Sequence, residues 1–240
     1  MKNNQHIETS LEKWEKQKAE GQPIGEHILN IIKAGLSATT LGSVIASLMT
    51  DYIPASKTKR LEEFAEQIAE DLLRFQDSVD TEYLKTDDYA FMFEHCFRAV
   101  VEYPQKEKIE AFRGILVNSA TIKGYSEEEK EYFLNLAISL STLHIRILKF
   151  MSMPEKYLEE TGISTENIHG GFSQFFPVAI PGVSLEVICS AFSELYRFGF
   201  TNTSESIFGT MTSGQGIKLL KGRITELGNR FIKFCTTTNP

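Results

Sequence analysis

The 240 residues of this chain include 25 Lys and Arg against 32 Asp and Glu, and 42% of them are hydrophobic. That composition excludes disordered and fibrous classes, and the length allows one large domain or two small ones with a substantial core. Three cysteines, Cys96, Cys189 and Cys235, are scattered without CxxC spacing, which argues against a disulfide framework or zinc knuckle and for a reducing, cytoplasmic setting.

The chain opens on a polar stretch of mixed charge, residues 1–22, read as an N-terminal arm. Its residues 8–20 carry only Leu11, Trp14 and Ala19 as an apolar side, and nothing in it has the layout of a secretory signal. Gly21, Pro23 and Gly25 break it before the longest apolar run, in which residues 28–49 hold Lys33 as their one charge. As a single helix those residues would span about 33 Å, near the roughly 30 Å of a bilayer core. Composition pulls the other way, because Asn30 and several Ser and Thr dilute the run and Gly35 and Gly42 each weaken a helix by close to 1 kcal/mol. Gly35, Thr39, Ser43 and Ser47 recur every fourth residue, with Ala38, Gly42 and Ala46 on an adjoining track, so backbones can approach closely there. The run is expected to be buried in the helical body, as a helix or as a helical hairpin turning near Gly35 to Gly42. The alternatives are insertion into a membrane on activation and an interfacial or oligomer-forming helix.

Behind it, helical periodicity recurs. Leu61, Phe64, Ala65, Ile68, Leu72 and Phe75 define an amphipathic helix that Ser56 can cap, with Glu62 and Glu63 expected in its first turn. Between Arg60 and Asp88 ten acids face three bases, so the whole net charge of −7 resides there, and the expectation is a solvated acidic face. A helix from Asp87 or Asp88 is apolar almost all round and ends at Tyr103, before Pro104. Its adjacent Glu94, His95 and Cys96 point about 100° apart and cannot converge on one atom. Residues 106–119 form the next helix. After Gly124, Ser126 and Glu129 read as a capping box for one long helix carrying Phe133, Leu136, Leu140, Leu143, Ile147 and Phe150. His144 on that helix reads as a core or boundary residue. Residues 23–153 are thus expected to be a helical bundle.

Residues 154–182 are rich in Gly and Pro and read as a linker with a short strand over Gln174–Ile180. In residues 183–240, a helix from Ser184 to Gly199 precedes strand-like pieces Ile207–Met211 and Ile217–Leu220 around a glycine turn, and Thr225 caps a final helix. The fold class expected is therefore mainly α, a helical bundle followed by a small α+β module.

ELYRFGF, the hairpin-like pieces and RITELGNRFIKFC resemble the closing part of winged-helix modules. YIPASKTKRLEEFAEQIAEDL and KEKIEAFRGILVNS resemble a group of bacterial helical proteins, some associated with prophages and antiphage defence. The resemblance implies sensing or regulated toxicity and supplies neither a reaction nor site residues. A winged helix implies nucleic acid, yet the helix from Ser184 bears Glu186 and Glu194 with a single Arg197, so nucleic acid is not the expected partner. Lys218, Lys221 and Arg223 are the one basic cluster to test.

No HExxH, phosphate loop, dinucleotide fingerprint or GxSxG occurs, and no catalytic, cofactor-binding or metal-ligating residue is assigned. The function expected is that of a non-enzymatic bacterial interaction or sensor protein, a component of antiphage defence with a protein partner or a second copy of itself. Its rival is a pore-forming effector that inserts residues 28–49 into a membrane on activation. A DNA-binding regulator acting through the C-terminal module comes third.

Overall fold

The computed structural model describes residues 55–210 and 215–237. The expected arm at 1–22 and the apolar run at 28–49, with Gly35, Ala38, Thr39, Gly42, Ser43, Ala46 and Ser47, lie outside them. Among the described residues the chain is mainly helical, and no strand occurs. The α-helices are α1 (Ala55–Arg74), α2 (Asp87–Glu102), α3 (Lys106–Thr121), α4 (Glu127–Ser139), α5 (Thr142–Ser152), α6 (Pro154–Thr161), α7 (Phe172–Ala179), α8 (Leu185–Arg197) and α9 (Glu226–Phe234). They fall into two compact units, one reaching to Ile138 and resuming at Phe234, the other Ser139–Lys233. The chain therefore divides at the end of α4, whereas the glycine-rich 154–182 was the expected boundary.

The first unit is built on α1, α2 and α3. On α1, Leu61, Phe64, Ala65, Ile68, Ala69 and Leu72 are at most 3% exposed, as the periodicity predicts. Phe64 meets Phe97 of α2 edge to face at 5.0 Å, and Phe93 stacks on Phe97 at 4.2 Å. Helix α1 is already helical at Ala55, which leaves Ser56 inside it rather than at its cap, and no acid stands in its first turn. Nor is every acid of the Arg60–Asp88 stretch solvated. Asp71 is fully buried, held by Arg113 Nε of α3 at 2.5 Å and by Arg74 at 3.1 Å. A buried carboxylate persists because a cation from another helix reaches it. On α2 the cap is Thr86, whose hydroxyl accepts from Tyr89 N, so Asp87 and Asp88 occupy the first turn. Glu94 pairs with Arg98, His95 bonds the Phe91 carbonyl and Cys96 is buried, so these three do not converge.

The second unit departs further from expectation. The long helix over Phe133–Phe150 is two helices, α4 and α5, parted at Leu140–Ser141. Ser141 caps α5, and the His144 side chain reaches back so that its Nδ1 accepts from Ser141 N at 3.1 Å. In place of a linker at 154–182 stand α6, a 3-10 turn (Thr165–Asn167) and α7. The strand expected near 174–180 is α7, because Phe172, Phe175 and Phe176 sit at helical spacing and all three are buried. They join Phe150, Phe192 and Phe208 in one aromatic cluster, with Phe176 at 5.1 Å from Phe208 and 5.3 Å from Phe150.

The winged-helix expectation is not upheld either. Among the described residues, which leave out Met211, the strand-like pieces fall in 3-10 turns, Glu205–Gly209 and Gly216–Leu220, and the β pairing is a single bridge from Thr201 to Ile224. Phe208 is drawn into the aromatic cluster, and that burial outweighs the weak strand propensity of a five-residue piece. The caps at the helix starts follow the sequence: Ser184 accepts from Val187 N and Thr225 from Gly228 N.

The chain returns to the first unit at its end. Asn118 Nδ2 of α3 donates to the carbonyls of Phe234 and Thr236, each at 2.9 Å. One turn earlier on α3, Gly114 lets the main chain of Cys235 lie directly on the helix, where a Cβ would overlap the Cys235 carbonyl. Gly114→Ala is therefore expected to destabilise by about 1–3 kcal/mol through overpacking. Gly209→Ala, which meets open space at ordinary backbone angles, is expected to be neutral or slightly stabilising. Thermal unfolding of the two variants followed by circular dichroism checks the contrast, and equal midpoints would refute the close approach.

Candidate functional site

A cleft of about 580 Å³ opens in the second unit, within the roughly 300–1,000 Å³ range of ligand clefts. One wall is the 3-10 turn Gly216–Leu220 with its flanks. Lys218 on the turn and Gln215 and Lys221 on its two flanks all line the cleft. Ile217 and Leu220, three apart within the turn and so on one side of it, line it as well. The facing side comes from the end of α5 and start of α6, with Met151 buried beneath Ser152 and Glu155. Asn229 of α9 and Ile224 complete it, Asn229 Oδ1 lying 3.4 Å from Ser152 Oγ.

The lysine wall is pinned from behind. Gly216 has φ +50°, and a Cβ there would overlap the Ile168 carbonyl, so the turn presses its backbone against that residue. Residues after the turn are tied down as well: Asn202 Nδ2 donates to the Gly222 carbonyl at 2.6 Å and Asn202 N to the Arg223 carbonyl at 3.0 Å. Lys218 and Lys221 are exposed at the mouth, and neither makes an ion pair among the described residues.

Of the basic cluster singled out in the sequence, the structure thus brings Lys218 and Lys221 to the cleft and leaves Arg223 half-buried outside its lining. Gln215, Met151, Ser152 and Asn229 went unnoticed. The signal for Gln215 was the spacing of three shared with the two lysines. The small-residue candidates Gly35 to Ser47 lie outside the described residues.

Strongly perturbed groups mark functional sites often enough to need separate inspection. Lys108 is 2% exposed, and burial lowers its pKa to about 8. Its Nζ donates to the carbonyls of Ala137 at 2.6 Å and Ile138 at 2.8 Å, and lies 4.6 Å from the Tyr103 ring centre. These partners are the last turn of α4, so the ammonium closes a helix C-terminus. Burial also pushes the Tyr89 phenol and the Cys96 thiol up. His144, committed to its cap through Nδ1, has Nε2 at 3.2 Å from Glu194. Among the described residues no three His, Cys, Asp or Glu side chains gather to hold a metal ion.

Comparison of the chain with protein-family models, with curated proteins and with solved structures found no match.

Titration of Lys108 is measurable. Its folded pKa of about 8 lies below the unfolded value near 10.4, so between those pH values the unfolded chain binds the extra proton and stability rises with pH. Relative to Lys108→Met, the protein is expected to gain stability from pH 8 to about 10.5. At pH 7 the variant is expected to lose about 1–3 kcal/mol through two uncapped carbonyls. Hydrogen exchange at the α4 amides across that range reads both effects, and a stability difference independent of pH would contradict the assignment.

Proposed function

We propose that this chain is a non-enzymatic interaction protein, a sensor or regulatory component that works through protein contacts. The observation that supports this reading is the cleft in the second unit, where two exposed lysines without ion pairs stand over an apolar floor. Such a site is suited to recognition: it offers charge and apolar area, while the most strongly perturbed lysine, Lys108, is spent on a helix end. The resemblance to bacterial helical proteins makes phage infection the condition under which partner binding is best sought. Crosslinking of the tagged full chain before and during infection is expected to yield a defined protein partner. Turnover of nucleotides, nucleic acids or peptides that one point substitution abolishes would overturn the reading.

A second reading, a membrane-active effector, is favoured by the run at 28–49 with its single charge and tracks of small residues. Among the described residues no single helix is long and apolar enough to cross a membrane. Gly42→Glu is expected to abolish leakage of anionic liposomes and leave the soluble protein folded. Leakage that survives the substitution would sink this alternative.

A further inference from the structure

We infer that the cleft at Gln215, Lys218 and Lys221 binds an acidic, apolar peptide segment of a protein partner; this rests on the interaction reading above and names its surface. The argument is one of charge and shape. Two exposed ammonium groups, Lys218 on the 3-10 turn and Lys221 just after it, line the cleft, and neither is neutralised by a carboxylate of the described residues. Beneath them Met151 and Leu220 are buried, while Ile217 and Ile224 are half exposed and available to an apolar side chain. Gln215 and Asn229 are exposed and can donate to or accept from a peptide main chain on either side.

A nucleic acid fits these observations less well. Residues 139–233 hold nine Lys and Arg against eight Asp and Glu, so no broad positive field is present to follow a phosphate backbone. Glu155 stands exposed in the cleft lining itself. The positive charge is local, confined to one turn, which suits one or two carboxylates flanked by apolar residues. Rigidity favours the same conclusion. The turn is held by the close approach of Gly216 to Ile168 and by Asn202, so the two lysines are presented with little backbone ordering left to pay on binding.

The test uses the full chain and labelled dodecapeptide pools of Asp and Glu with Leu, Ile and Phe, beside pools in which Asn and Gln replace the acids and a single-stranded DNA of similar length. Acidic pools are expected to bind, to perturb amides within 215–224, and to lose at least about tenfold in affinity in Lys218→Glu/Lys221→Glu. Both lysines are exposed, so the variant is expected to unfold at the unchanged temperature; Asn229→Ala, weaker by a smaller factor, gives a charge-neutral check. Equal binding of the amide pools, preferential binding of DNA, or no binding of acidic peptide would overturn the assignment. A crosslinked partner retained equally by the double lysine variant would overturn the cleft and leave the interaction reading standing. Catalytic turnover alongside intact peptide binding would do the reverse.

Discussion

The end of α4, where the first compact unit gives way to the second, is closed by an ammonium group. Lys108, itself on α3, donates to the carbonyls of Ala137 and Ile138, which a continuing helix would have taken for its own amides. Placing a lysine in so dry a site is unfavourable, as its lowered pKa records, and the carbonyls it meets are the compensation. Arg60 does the same for α2, donating to the carbonyls of Val100 at 2.9 Å and Val101 at 3.3 Å. In each case a cation from one helix finishes another, so helix length and helix packing are set by the same contact.

The constraint at the chain's return is steric. Gly114 is surrounded by good helix formers and costs α3 some intrinsic stability, of order 1 kcal/mol relative to Ala. That cost is offset by the approach of the Cys235 backbone, and Asn118 then satisfies two carbonyls that would otherwise lie on a helix surface without donors. The terminal segment is thereby part of the first unit although it follows the second in sequence.

How much of this was legible depended on whether the cause was local. The apolar stripe of α1, the helices at α2 and α3, the stop at Tyr103–Pro104 and the caps at Ser184 and Thr225 are dictated by neighbours within a turn or two, and they read correctly, although Phe91 of the almost wholly apolar α2 is exposed. Asp71 looked like one more surface acid because Arg113, its partner, is 42 residues away. The break between α4 and α5 was hidden for the same reason: Leu136, Leu140 and Leu143 keep the apolar period, and the ammonium that ends α4 comes from α3. In 154–182 glycine and proline outweighed the better signal, the spacing of Phe172, Phe175 and Phe176.

The strand expected at Ile217–Leu220 is a 3-10 turn, and the difference decides how the cleft wall is made. A strand alternates its side chains, which would set Lys218 on one face with Leu220 and Lys221 on the opposite face with Leu219. The lysines would then have been two unrelated surface charges on a hairpin. A 3-10 turn repeats every third residue instead, which puts Ile217 and Leu220 on one side, while Lys218 and the flanking Gln215 and Lys221 all line the cleft. The same few residues therefore carry either a wing or a cleft wall according to backbone period alone. What selects between them lies outside the segment: Phe208 buried in the aromatic cluster and Gly216 pressed on Ile168 hold the chain in turns, and the cleft wall follows from that packing.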